Sequence, residues 1–176
     1  MKARSRPLVV LGGGGHTQEM LEILGGGPEF ACASVVHCES DRISVDLFKS
    51  AFQGTECTVY AVPRPNRVLE KHSLLEMALS LFFSFLTVFQ ARSDFLLCNG
   101  PGLCAPVALA YRILHPFKPI FYVESVTRVR TLSTTGKLLQ YIASVFIVQS
   151  RHLERTKYPH RTYHSVFNVV KRDQIA

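Results

Sequence analysis

Four consecutive glycines, Gly12 to Gly15, close an apolar run and are followed at once by His16 and Thr17 in PLVVLGGGGHTQEMLEIL. So little side-chain bulk between a strand and a helix lets backbone N–H groups approach an anion, and the helix N-terminus adds partial positive charge. The chemistry this predicts is phosphate binding. A P-loop requires lysine and then Ser or Thr after its last glycine, which His16-Thr17 does not supply. The dinucleotide pattern GxGxxG is met by Gly12 and Gly14, but Thr17 stands at the third glycine position. Glu39, near the end of the next apolar run, could play the ribose-binding acid. Three readings therefore stand: a nicotinamide-binding oxidoreductase, a ligand-free tight turn, and a diphosphate-bearing partner. The entropy lost in ordering four glycines weighs against the purely mechanical turn. His16 fits a general base, a donor to an anion, or a capping side chain.

Further polar residues recur at similar places along the chain. HCESD carries Glu39 and Asp41, VPRPNR carries Arg64 and Arg67, and CNGPG carries Asn99, Gly100 and Gly102. VESVTRVRTLS carries Glu124, Ser125 and Arg128. Each alone reads as a salt-bridged loop or a turn. Together they set several guanidinium groups around the glycines, as diphosphate recognition requires. Glu39, Asp41 and Glu124 are the acids placed to act as a base. Paired carboxylates, a Ser-His-Asp order and a metal-ligand constellation are not found in the sequence, so no bound metal is expected.

Positioning these residues takes an alternation of short β-branched runs with longer amphipathic ones. Strands are predicted at Leu8–Leu11, Ala33–His37, Thr58–Val62, Phe95–Cys98, Ile120–Val123 and Ser144–Val148. Helices are predicted at Thr17–Leu24, Ser44–Ala51, Leu69–Gln90, Leu103–Leu114 and Thr134–Ile142. This pattern predicts an α/β fold, a Rossmann-like parallel sheet with helices on both faces. Ligands then bind beyond the carboxyl ends of the strands, where every polar cluster above falls. Residues 1–150 form the predicted domain, and 151–176 a polar, basic tail with little periodicity.

The chain has 176 residues, 47% hydrophobic and 19% charged, which suits a folded domain or one half of a two-lobed enzyme. A net charge of +7 favours anionic partners. Its basic residues are scattered rather than clustered, so nucleic acid is not expected. Five cysteines without a CxxC pair read as mostly buried thiols in a reducing compartment. After MKARSRP only a short apolar run precedes the glycines, too short for a signal peptide or a spanning helix.

From Met77 to Gln90 the sequence carries no charge. Ser73, Glu76, Ser80, Ser84, Thr87 and Gln90 form one narrow polar stripe, with apolar residues around the rest of the helix. Such a helix is buried on several sides or meets lipid, with Phe82, Phe83 and Phe85 entering the interface and Arg67, Lys71, His72 and Arg92 meeting lipid phosphates.

LGGGGHTQEML, CNGPGLCAPVALA and YVESVTRVRTLSTTGKLLQYIASVFIVQ resemble the asparagine-linked glycosylation protein 14 family over about Leu8 to Gln149. The resemblance implies the N-terminal, acceptor-side half of a GT-B glycosyltransferase related to MurG. It implies a non-catalytic subunit, inactive alone, of the inverting transferase that adds the second GlcNAc to GlcNAc-diphosphate-dolichol. UDP-GlcNAc is then expected on a separate donor-binding partner of the protein 13 type, with no cofactor on this chain. Gly14, Gly15, His16 and Thr17 match the family's first glycine segment, and Asn99, Gly100, Pro101 and Gly102 its second. Glu124, Ser125, Arg128, Thr131, Leu132, Ser133, Gly136 and Lys137 match its third, with Asp41 and Arg64 at weaker positions. With Gly13, these residues are the implied binding set for the lipid-linked diphosphate sugar, and His16 and Glu124 the candidate bases. The implied location is the cytosolic face of the endoplasmic reticulum membrane. Family members commonly begin with a membrane anchor, which this sequence does not supply, so the apolar helix and basic surface would carry membrane contact. The tail stands where the family binds its partner. Bacterial exopolysaccharide transferase subunits share these motifs and remain an alternative.

Overall fold

In the computed structural model of the chain, residues 5–27, 30, 32–64, 73–154 and 161–164 are described. The β-branched runs form β1 (Pro7–Val10), β2 (Cys32–Cys38), β3 (Glu56–Val62), β4 (Phe95–Asn99), β5 (Ile120–Val123), β6 (Val145–Val148) and β7 (Arg161–Tyr163). The intervening helices are α1 (Gly15–Gly25), α2 (Ile43–Ala51), α3 (Ser73–Gln90), α4 (Cys104–Leu114), α5 (Thr134–Leu139) and α6 (Arg151–Glu154). The strands pair in parallel in the order β3-β2-β1-β4-β5-β6-β7.

The chain builds outward from β1 to β3, then crosses back through α3 to lay β4 on the other side of β1. Val9 is therefore flanked by Val35 of β2 and Leu97 of β4. The strand order reverses between β1 and β4, the switch point beyond whose carboxyl ends sheets of this kind form their ligand crevice. Alternation along β1 feeds two cores. Val9 and Leu11 pack with Met20, Leu24 and Phe48, whereas Leu8 and Val10 pack with Val107, Tyr111, Tyr122 and Leu139. Cover on both faces explains why the central strands β1 and β4 read as nearly continuous apolar runs.

The expected sheet forms with one addition. Polar residues 161–163 of the tail pair with β6, Ile147 opposite Thr162, and the Arg151 guanidinium lies 4.6 Å over the Tyr163 ring. Helix α5 ends at Leu139 rather than Ile142. Cys98 and Cys104 are buried, Cys32, Cys38 and Cys57 partly so, and all five are free thiols.

Helix α3 is turned inside out relative to an ordinary surface helix. Its small polar residues Ser80, Ser84 and Thr87 face inward with Val88, and Ser84 Oγ donates back to the Ser80 carbonyl at 2.7 Å. Outward point Leu75, Met77, Leu79, Phe82, Phe83, Leu86 and Phe89, the last 77% exposed. Leu109 and Ile113 of α4 are exposed as well. Phe85 departs from the expected phenylalanine group, being half-buried against the core. Arg67, Lys71, His72 and the expected helix start at Leu69 lie outside the described residues. No helix among the described residues is long and apolar enough to cross a membrane.

Candidate functional site: the crevice between two glycine loops

After β1 the chain enters the glycines, and Gly14, at φ +65°, takes a conformation that L side chains rarely adopt. Gly13, Gly14 and Gly15 are exposed where α1 begins, and the Thr17 N–H donates to the Gly14 carbonyl at 3.1 Å. Thr17 is buried and faces inward. Its hydroxyl donates to the Gly12 carbonyl and lies 2.6 Å from Ser44 Oγ. Ser44 Oγ donates to Asp41 Oδ2 at 2.7 Å, and Ser44 N–H to Asp41 Oδ1 at 3.2 Å. Asp41 thus caps the start of α2, just ahead of Arg42, whose side chain caps nothing. Expected ligand contacts Thr17 and Asp41 spend their polar atoms on bracing the loop. Asp41→Ala should lower stability by about 1 kcal/mol in urea unfolding.

The second glycine loop follows β4 directly across the crevice. A Cβ on Gly12 would fall 2.6 Å from the Pro101 ring, so the two loops touch there. Gly100 has φ +71°, and a Cβ on it would run into the His16 imidazole, 2.6 Å from Nδ1. His16 is therefore held at the contact between the loops, and its Nδ1 is buried without a hydrogen-bond partner. Asn99, 1% exposed, gives Nδ2–H to Glu19 Oε2 at 3.0 Å and to the Val123 carbonyl at 3.2 Å. Its Oδ1 has no partner. Two neighbouring loops thus each carry a buried polar atom that the protein leaves unmatched. Such atoms are rare, since leaving one unmade costs about 1–3 kcal/mol.

The third loop is organised by Glu124, which is fully buried. Oε2 accepts from Ser133 N–H and Ser133 Oγ–H, each at 3.0 Å. Oε1 accepts from Ser125 N–H at 3.1 Å and from the Tyr122 phenol at 3.3 Å. Burial, then the Glu124 charge, pushes the Tyr122 phenol far above its ordinary range, so it stays a donor. Ser133 in turn accepts from Gly136 N–H at 2.9 Å and caps α5. One carboxylate thereby pins both ends of the loop 125–133, which displays Arg128 and Arg130 to solvent. Both oxygens of Glu124, an expected candidate base, accept hydrogen bonds inside the protein. A base must reach the proton it takes. Arg64 is exposed just beyond β3, away from the two-loop contact in sequence order, and Glu39 is exposed past β2.

Sequence reasoning missed Glu19, Ser44 and Tyr122. Glu19 lies on the inward face of α1 with Thr17 and Met20, and that helical spacing was the available signal.

A family model described as "Oligosaccharide biosynthesis protein Alg14 like" matches residues 7–167. The UDP-N-acetylglucosamine transferase subunit ALG14 of Rattus norvegicus is 36% identical over 173 residues, covering 89% of this chain and 80% of that protein. The Homo sapiens subunit of the same name is 34% identical, covering 89% and 80%, and that of Saccharomyces cerevisiae 29% identical, covering 90% and 76%. Among solved structures, Acinetobacter baumannii MurG superposes with a TM-score of 0.68 at 16% identity, covering 90% of this chain and 45% of that one. A putative UDP-N-acetylglucosamine 2-epimerase from Listeria monocytogenes gives 0.63 at 13% identity, covering 90% and 44%. At such identities the likeness is one of fold, and this chain spans just under half the length of those two.

Proposed function

Because this chain belongs to the Alg14-like family of oligosaccharide biosynthesis proteins, we propose that it is the acceptor-side subunit of a UDP-N-acetylglucosamine transferase. In this reading the exposed amides of Gly13–Gly15, at the positive end of α1, hold the diphosphate of a lipid-linked GlcNAc. Arg128 and Arg64 add charge from the rim. The sugar stands at the contact of the two glycine loops, where His16 Nδ1 and Asn99 Oδ1 supply unmatched polar atoms. A separate donor-binding subunit brings UDP-GlcNAc to the other side of the crevice and completes a two-lobed transferase that adds the second GlcNAc. His16 is the residue that can take the acceptor proton in an inverting transfer, and Glu124 holds the loop behind it. The observation that carries the proposal is the exposed Gly13–Gly15 turn at the topological switch point, beside two unmatched buried atoms.

The acceptor's lipid tail requires a membrane, and α3 provides the matching surface. Its N-terminus follows β3 and so lies on the same side of the sheet as the crevice, while its outward face is apolar along its described length. The chain then sits on the cytosolic face of the endoplasmic reticulum membrane, with Arg92 and the net positive charge favouring anionic headgroups. Changing Phe82 and Phe89 together to Ser should weaken co-sedimentation with vesicles of phosphatidylcholine and phosphatidylserine at least about tenfold. Unchanged sedimentation would remove α3 from the membrane contact.

Copurified complex, assayed for UDP-GlcNAc-dependent extension of a synthetic GlcNAc-diphosphate-alkyl acceptor, tests the function. His16→Ala should leave the partner bound while cutting transfer at least about a hundredfold. Full turnover in that variant would contradict the assignment. Saturable binding of NAD(P)H by the lone chain would favour the oxidoreductase instead.

A further inference from the structure

Glu19 is buried, 4% exposed, on the first helix after the glycines, and its carboxylate gathers the strand ends around the crevice. Oε1 accepts from Ser125 Oγ–H at 2.7 Å. Oε2 accepts from Asn99 Nδ2–H at 3.0 Å, Val126 N–H at 3.3 Å and Gln149 Nε2–H at 3.5 Å. The donors come from the last residue of β4 and from the loops after β5 and β6, so one side chain of α1 ties the helix after the first glycine loop to three strand ends.

This carboxylate also decides which way the Asn99 amide faces. Both hydrogens of Nδ2 are taken, one by Glu19 and one by the Val123 carbonyl. The flipped amide would set Oδ1 against two acceptors and leave both without a proton. Oδ1 is therefore forced to the side where the protein offers nothing, next in the chain to Gly100, on which the His16 ring rests. A neutral partner at position 19 would leave the Val123 carbonyl as the one remaining acceptor that sets the orientation, because a carboxamide can face Asn99 with either its donor or its acceptor.

We infer that Glu19 is a positioning residue, which acts through Asn99 by locking its carbonyl oxygen toward the crevice and so selects a ligand that presents an O–H or N–H donor there. In the transferase reading, on which the kinetic part of the test rests, that donor belongs to the acceptor sugar. Glu19 itself touches no substrate.

The test has one arm free of that reading. In 15N-labelled full-length chain, the Asn99 side-chain amide signal, assigned by its loss in Asn99→Ala, should move in Glu19→Gln and its two protons should lose their protection from solvent exchange. A signal unchanged in Glu19→Gln overturns the inference whatever the protein does. The second arm uses the complex with its donor-binding subunit and the GlcNAc-diphosphate-alkyl acceptor. Glu19→Gln should raise the acceptor KM about tenfold with the UDP-GlcNAc KM unchanged. With Asn99 already replaced by Ala, Glu19→Gln should add little, because the two act as one unit. Equal changes in both KM values, or full additivity with Asn99→Ala, would mark a general structural role and overturn the inference. A moved amide signal in a complex that transfers no sugar would contradict the transferase reading and leave the locking of Asn99 established.

Discussion

Glu124→Ala should destabilise the chain by about 3 kcal/mol or more, the range seen when a buried, fully bonded charge partner is removed. The substitution strips acceptors from Ser125 N–H, Ser133 N–H, Ser133 Oγ–H and the Tyr122 phenol at once, all inside the protein. It also leaves a void against Gly136, whose backbone comes so close that a Cβ there would overlap the carboxylate. The loop 125–133, which carries Arg128, loses the tie that holds its two ends. Urea unfolding of the lone chain measures the stability change. Glu124→Gln keeps the volume and two of the bonds, and should lose roughly half as much stability. A catalytic base would behave differently, with Glu124→Gln as stable as the parent and defective only in turnover.

The second large effect is expected at Gly100. Gly100→Ala places a methyl group into the His16 ring and forces an L residue to φ +71°, together worth about 2–4 kcal/mol of stability. The imidazole must leave its place, so transfer by the complex should fall at least a hundredfold. Combining Gly100→Ala with His16→Ala removes the collision and leaves the backbone strain. The double variant should recover about half of the lost stability and none of the activity. Recovery of activity would mean that His16 does no more than fill space.

Much of the fold was legible because the centre of the sheet is buried on both faces. Strands such as PLVV and FLLCN admit no exposed side and read as uninterrupted apolar runs. The tail strand was not legible, since three polar residues at an edge satisfy no pattern and pair only because β6 offers a free edge. Helix α3 was half legible. The stripe of Ser80, Ser84 and Thr87 was visible, but periodicity cannot say which side of a helix faces the protein. Small residues turned inward let α3 lie close on α4, and the bulky ones are left outside. At the site, the glycines and His16 were found because backbone approach to an anion requires bare chain. Roles inside the site were harder. Thr17, Asp41 and Glu124 are the right types for ligand contact, yet their polar atoms face inward, and hydrogen-bond direction is set by tertiary neighbours rather than spacing. Glu19 went unnoticed because an acid on an amphipathic helix is ordinarily a solvated one.

Binding of the acceptor by this chain alone is the most direct measurement. Amide spectra of labelled protein should be recorded during titration with a synthetic GlcNAc-diphosphate-alkyl acceptor, with inorganic pyrophosphate as a second ligand. The expected result is saturable movement of the Gly13–Thr17 amides with both ligands, and of the Asn99–Gly102 amides with the sugar-bearing ligand only. Saturable movement elsewhere on the chain, with both glycine loops silent, would contradict the assignment of the acceptor to this crevice.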